Sequence, residues 1–185
     1  MDYTLHLPAS EDDFIQACVN NERWAQKKLY EYHYTTMMGV CLRFANNDDD
    51  ALDILHEGFI KVFKNLASYN AGTSLSAWMR KIMINTAIDY YRKELRRKTE
   101  DLNIAYNLST NDADAISRLS AEEILKALQQ LTVSYRSVFN LYVIEGYSHK
   151  EIADILGITE STSRANLVKA RAKLKQVLLA SGQKI

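Results

Sequence analysis

Apolar residues recur every three or four positions along most of this chain, the spacing that lines one face of an α-helix. Ser10 ahead of Glu11, Asp12 and Asp13 reads as an N-cap with acids in the first turn, and Phe14, Cys18 and Val19 begin an apolar stripe. Trp24, Leu29, Tyr32, Met37, Val40 and Phe44 continue at helical spacing, with room for a break near Gly39, before the polar turn Asn46, Asn47, Asp48. A third helix starting among Asp48, Asp49 and Asp50 carries Leu52, Leu55, Phe59, Val62, Phe63 and Leu66 on one face. Its other face is Asp53, His56, Glu57, Lys61 and Lys64. Residues 68–74 form a short loop of turn formers, and Ser74 caps a long helix running to about Lys98. The pattern predicts that this helix buries Trp78, Ile82, Ala87 or Ile88, and Leu95, and that it ends in a basic run.

Periodicity fails over residues 99–117, which hold four acids, no bases and much Asn, Ser and Thr, so a flexible linker is expected there. The helical pattern returns with Leu119, Ile124, Leu125, Leu128 and Leu131, then Val138, Phe139, Tyr142 and Val143 up to Gly146. Ser148 to Glu151 has the form of a capping box, Ile152, Ala153, Ile155 and Leu156 make the inner face of a short helix, and Gly157 is placed to stop it in the left-handed conformation. Thr159 caps a last helix, Glu160 to about Leu179, with Leu167, Leu174 and Leu178 inward and Arg164, Lys169, Arg171, Lys173 and Lys175 outward. Two helices joined by a glycine turn, the second one basic, are the helix-turn-helix pattern, in which the second helix enters the major groove. A helical hairpin with no DNA role is the alternative.

Composition agrees with an all-α protein: six glycines and one proline in 185 residues leave little turn chemistry for a many-stranded fold. The expected organisation is two small helical domains, residues 1–98 and 118–185, joined by the acidic linker 99–117. A net charge of zero argues against a nucleic-acid partner only until the charges are placed. Residues 1–60 carry eleven acids against four bases, but residues 77–98 carry seven bases against two acids. Residues 99–147 hold seven acids against three bases, and residues 148–185 seven bases against three acids. Two basic blocks separated by acidic ones suggest two DNA-facing surfaces on a chain whose other faces meet other partners.

Several functions are disfavoured. No stretch reaches the roughly 18 apolar residues of a membrane span, and the acidic start, Met1 to Asp13, is unlike a signal peptide, so a cytoplasmic protein is expected. Cys18 and Cys41 stand alone in helical contexts and read as buried free thiols. HEGFI at His56 to Ile60 lacks the second histidine of a zinc protease, and His6, His33 and His149 have no companions at ligand spacing. With no nucleophile and base, metal cluster or phosphate loop to assemble, a non-enzymatic protein without cofactor or metal is expected.

Three strings carry a resemblance that covers nearly the whole chain. ALDILHEGFIKVFKNL at Ala51 to Leu66, LSAWMRKIMINTAIDYYRK at Leu75 to Lys93, and the segment from Leu131 to Leu174 resemble, in order and separation, the sigma factors of RNA polymerase, particularly their small extracytoplasmic-function (ECF) group. The resemblance implies core RNA polymerase and promoter DNA as partners, often an anti-sigma factor as antagonist, and no amino-terminal extension or middle domain of the primary sigma type. It places Asp53, His56, Glu57 and Lys61 against the polymerase clamp. It assigns Tyr69, Ser74, Arg80, Lys81, Asn85, Asp89, Arg92 and Lys93 to the minus-ten element, where Tyr69, Trp78, Tyr90 and Tyr91 offer aromatic surfaces for unstacked bases. Lys150, Ser161, Arg164, Ala165, Val168, Lys169 and Arg171 fall on the minus-thirty-five element, with Arg164 the base reader and Lys169 and Arg171 phosphate partners. The chain departs from the family at His56, usually glutamine, and at Ser163, usually apolar. The competing reading is a one-piece helix-turn-helix regulator with an amino-terminal helical sensor, and residues 51–93 discriminate: a sensor needs a ligand pocket or phosphoacceptor unit there.

Overall fold

The structure, a computed structural model, describes residues 10–70, 72–100 and 121–180, and among them only helices and turns occur. Local chemistry sets most of the boundaries. Ser10 accepts from the Asp13 amide at the start of α1 (Glu11–Val19), and Asn47 does the same for Asp50 at the start of α3 (Asp48–Asn65), each with three acids in its first turn. Between them α2 (Arg23–Phe44) runs on through Gly39, where the pattern left room for a break. A short 3₁₀ turn, Leu66–Ser68, leads to α4 (Leu75–Glu100), where Ser74 Oγ accepts from the Ala77 amide. The expected linker lies outside the described residues except for its first two, which extend α4.

The amino-terminal half is built on α2, α3 and α4 packed together, with α1 against α2. Leu29, Met37, Val40, Phe44, Leu55, Val62, Met79, Met83 and Ala87 fill its centre. Cys18 and Cys41 are buried free thiols as expected, and burial pushes their pKa values up to about 11 and about 12. Helical periodicity misplaced some aromatics: Trp24 is 38% exposed and Tyr32 82%, while Ala25 and Cys41 take core positions. On α4 the core face is Met79, Met83, Ala87 and Tyr91, and Trp78 is only half-buried, against Tyr69.

The carboxyl-terminal half comprises α5 (Ala121–Gln129), α6 (Val133–Phe139), α7 (His149–Leu156) and α8 (Glu160–Ala180). Helix α6 widens into a π-helical turn, Asn140–Ile144, which rotates the positions after it. Val138, before the turn, and Leu141 are buried, while Tyr142 and Val143, within the turn and expected in the core, are 37% and 47% exposed. The capping box of Ser148 and Glu151 is formed, Gly157 closes α7 at φ 67°, and Thr159 Oγ1 accepts from the Thr162 amide to start α8.

The two halves pack on each other through an interface with a polar framework. Glu145, directly after the π turn, accepts two hydrogen bonds from Arg80 of α4 (3.1 and 2.7 Å) and one from Arg43 of α2 (3.4 Å). Arg136 of α6, 1% exposed, donates to the Ala45 carbonyl and to Asn46 Oδ1 (2.6 Å), and Asn140 Nδ2 donates to the Arg43 carbonyl (2.5 Å). Burial holds the Arg136 guanidinium below the usual arginine range, at about 10, and the Tyr90 hydroxyl and Asp50 beside it oppose that shift. Arg92 Nη2 donates to the Ile155 carbonyl (2.9 Å), satisfying the carboxyl-terminal end of α7. Val133, Val138, Leu141, Ile152, Leu156 and Leu167 continue the amino-terminal core across this interface, while Ala127, Leu128, Leu131, Ala170 and Leu174 form a separate cluster under α5 and α8.

Candidate nucleic-acid interface

Three helix faces carry the residues singled out in the sequence. On α3, Asp53, His56, Glu57, Ile60 and Lys64 are exposed at helical spacing, opposite the buried Ile54, Leu55, Phe59 and Val62. The glutamine-to-histidine departure is accommodated because His56 stacks beside Tyr30 of α2, with ring centroids 6.5 Å apart. Ile60 is 53% exposed in the middle of this charged face, an apolar position that periodicity alone did not single out. Half-buried Lys61 bridges Glu57 (3.1 Å) and Asp89 of α4 (3.0 Å), and those partners raise its pKa against the opposing pull of burial. The groove between α3 and α4, a cavity of about 260 Å³, is lined by Asp50, Asp53, Glu57, Asp89, Lys93 and Glu94. Its surface is thus mainly acidic.

On α4 the residues assigned to the minus-ten element divide into two sets. Lys81, Asn85, Asp89, Arg92 and Lys93 are exposed, with Asn85 one turn from Lys81 on one side and from Asp89 on the other. Arg80 is turned inward onto Glu145, and Arg92 is shared between Asp89 (3.3 Å) and Ile155. The aromatic set is smaller than expected. Tyr91 is 2% exposed, and Tyr90 donates to Asp50 (2.7 Å) and meets Asn46, so neither presents a ring for a base. Burial and the neighbouring Asp50 carboxylate hold the Tyr90 hydroxyl well above its usual pKa. Tyr69 and Trp78 remain, 5.6 Å apart, next to Ser74 at the start of α4; the Tyr69 hydroxyl donates to the Thr73 carbonyl and folds the loop back on itself.

The helix-turn-helix pair is α7 and α8. Ser161, Arg164, Ala165 and Val168 lie along the outer face of α8, with Lys169 and Arg171 flanking them, all exposed, and Lys150 is exposed on α7. Arg164 forms an ion pair with Glu160, one turn back. Ser163 is fully buried, and its hydroxyl lies 2.9 Å from His149 Nδ1. The imidazole in turn stacks on Tyr142 at 4.4 Å. A hydrogen bond thus joins the two helices here, and it satisfies a polar atom that burial would otherwise strand. Burial, reinforced by the nearby Arg164, holds His149 below the usual histidine pKa.

Among the described residues no group of three His, Cys, Asp or Glu side chains is placed to hold a metal ion, and no helix is long and apolar enough to cross a membrane. An exposed basic helix on a capped helix-turn-helix, and a second basic helix beside an acidic helix face, are features of a helical DNA-binding protein. The family profile for sigma-70 region 2 matches residues 29–97, and that for sigma-70 region 4 matches residues 121–174. The chain is 24% identical over 169 residues to the ECF RNA polymerase sigma factor SigM of Mycobacterium tuberculosis, covering 91% of this chain and 85% of that protein. It is 27% identical over 158 residues to the RNA polymerase sigma factor YlaC of Bacillus subtilis, covering 83% and 91%. Among solved structures, the sigma factor RpoE of Bartonella quintana, in complex with the anti-sigma factor NepR, superposes with a TM-score of 0.49 at 22% identity, over 83% of this chain and 96% of that one. The chain belongs to the sigma-70 family, in its ECF group, and directs promoter recognition in transcription initiation. Region 2 occupies the residues where a sensor unit would have to lie, so the one-piece regulator is set aside.

Proposed function

We propose that the three faces divide the work of initiation among named residues. The α3 face of Asp53, His56, Glu57, Ile60 and Lys61 docks on core polymerase. The exposed side of α4 takes the minus-ten element, with Lys81, Arg92 and Lys93 on phosphates, Asn85 on a base edge, and Tyr69 and Trp78 as the stacking surface. Arg164 reads the minus-thirty-five element from α8, where Lys150, Lys169 and Arg171 hold the backbone. The domain limits are residues 1–98 and 118–185 with 99–117 as linker, and an anti-sigma factor is the natural antagonist of such a chain in the compartment where polymerase works.

The observation that carries this reading is the exposure of Asn85 on the outer face of α4, one turn from Lys81 and from Asp89 and opposite the buried Met79, Met83 and Ala87. An asparagine amide offers a donor and an acceptor together, the pattern an unstacked base edge requires. Opening costs about 1.4 kcal/mol of stacking per base step, which aromatic stacking at about 1–3 kcal/mol per base and phosphate contacts repay without covalent chemistry. Asn85→Ala is expected to fold, bind core polymerase and keep its upstream preference, yet open duplex promoters poorly and discriminate less at the downstream bases. Permanganate footprinting on duplex and pre-melted templates measures this. Equal opening and equal downstream preference in wild type and variant remove Asn85 from the site.

A further inference from the structure

The contact between α7 and α8 is apolar at Ile152, Leu156 and Leu167 but polar at its amino-terminal end. There the fully buried Ser163 sets its hydroxyl 2.9 Å from His149 Nδ1, and one face of the imidazole stacks on Tyr142 of the π turn, 4.4 Å between centroids and 20° between planes. A ring held at its edge by one partner and on its face by another has little freedom to turn. Ser163 directly precedes Arg164, and successive helix residues turn by about 100°, so anchoring Ser163 sets the direction in which Arg164 leaves α8. The charges around the ring are mainly positive. Arg164 and Arg171 act on it from α8 against the single acid Glu160, and Lys150 follows it on α7. The other charged groups near α7 are engaged: Glu151 by the Ser148 amide (2.8 Å), Glu145 by Arg80 (2.7 Å), and Arg92 by the Ile155 carbonyl at the far end of the helix.

We propose that His149 is a positioning residue for the upstream readout: it holds the amino-terminal half of α8 through Ser163, and it gains a proton when promoter phosphates arrive. This rests on the assignment of α8 to the minus-thirty-five element. In a helix-turn-helix the second helix enters the major groove while the first crosses the backbone, and His149, in the first turn of α7 and against α8, lies where those two contacts meet. A serine hydroxyl donates to the neutral ring or accepts from the protonated one, so the hydrogen bond survives the change and only the charge differs. In the free chain burial and the neighbouring arginines hold the ring below the usual histidine range. Phosphates drawn in by Lys150, Arg164 and Arg171 offset that repulsion and favour the imidazolium. The seat of α8 is therefore the same in both states, while its charge rises only on the promoter.

Binding of the full chain, assembled with core polymerase, to a promoter library from about pH 8 down to about pH 6 tests this against His149→Gln. A whole proton taken up on binding changes affinity about tenfold per pH unit, so an uptake of about half a proton makes the ratio of wild-type to variant affinity grow about threefold per unit as pH falls. The ratio cancels the histidines of polymerase and the other histidines of this chain, which both proteins share. Ser163→Val leaves the imidazole without its partner and is expected to relax preference at the upstream bases that Arg164 reads. His149→Phe with Ser163→Val keeps a ring on Tyr142 and strands no polar atom, so it should regain the thermal midpoint and the upstream preference while keeping the pH profile of His149→Gln. A merely structural role would move stability and preference together and leave the ratio constant with pH. A constant ratio, with the upstream preference of wild type intact, overturns this proposal alone. Unchanged upstream preference in both folded Ser163→Val and His149→Gln also overturns it. Wild-type holoenzyme indifferent to upstream sequence overturns the assignment of α8 and this proposal with it.

Discussion

Replacing Gly58 tests the close approach of α3 to α4, on which the relative placement of the proposed polymerase face and the proposed melting helix depends. A methyl group at Gly58 would sit 2.2 Å from Met83 Sδ and 3.0 Å from its Cε, and Met83 is fully buried. Two effects oppose each other in Gly58→Ala. Helix propensity favours alanine by about 1 kcal/mol, whereas inserting a methyl into a filled core costs typically about 1–3 kcal/mol. The Met83 chain must swing its end aside by more than 1 Å within a core that has no free space, so the steric cost is expected to win by about 1 kcal/mol. Met83→Ala removes both offending atoms together with Cγ, the next nearest to the new methyl at 3.8 Å. In that background Gly58→Ala should stabilise the chain by about 1 kcal/mol, which makes the coupling of the pair about 2 kcal/mol. Urea unfolding of the four proteins of this cycle supplies the numbers, with midpoints shifted by several tenths of a molar for each kcal/mol. If Gly58→Ala stabilises both backgrounds equally, the contact does not limit the approach of the helices.

Three further outcomes are expected. Arg164→Ala should cost about 1–3 kcal/mol at cognate promoters and relax preference at one or two upstream bases, whereas Lys169→Ala should weaken all sequences alike and flatten the salt dependence; competition binding of holoenzyme to a promoter library separates the two. Thermal unfolding between pH 7 and pH 5.5 should show stability falling as pH falls, because the folded-state pKa of His149 lies below its unfolded value of 6.5, so the unfolded chain takes up its proton first. His149→Gln should reduce that slope and leave the part due to His33, which burial shifts in the same direction; an unchanged slope removes His149 from it. The purified chain alone should bind duplex promoter poorly, and specific binding at about 10⁻⁸ M or tighter at physiological salt would contradict the division of labour between chain and polymerase.

Features set by residues a few positions apart were legible in the sequence. The Ser148 and Glu151 box, the Gly157 stop and the Thr159 cap are local chemistry, and they located the helix-turn-helix to the residue. The charged face of α3 was legible as well, because Asp53, His56, Glu57 and Lys64 avoid the apolar stripe. Helical spacing alone could not say which aromatics at the edge of a stripe are covered, and so Tyr32 was assigned inward and Tyr91 outward, each wrongly. A π turn adds a residue without any composition signal, and it moved Tyr142 and Val143 to the surface. The polar interface was the least legible feature. Arg43 meets Glu145 across 102 positions and Arg136 meets Ala45 across 91, and no periodicity within either half encodes such a pairing. Ser163 was visible as a departure from the family, but its hydrogen bond to His149 needed the packing of α7 on α8.

Reconstitution with core RNA polymerase on a library of duplex promoters tests the assigned function most directly. Transcripts should start only with the chain added, from promoters sharing one upstream and one downstream element. Exchange of Asp53 and Glu57 for lysine should abolish assembly with core, while the helicity of the chain is retained. A chain that folds but neither binds core polymerase nor directs initiation from any promoter in the library would contradict the assignment.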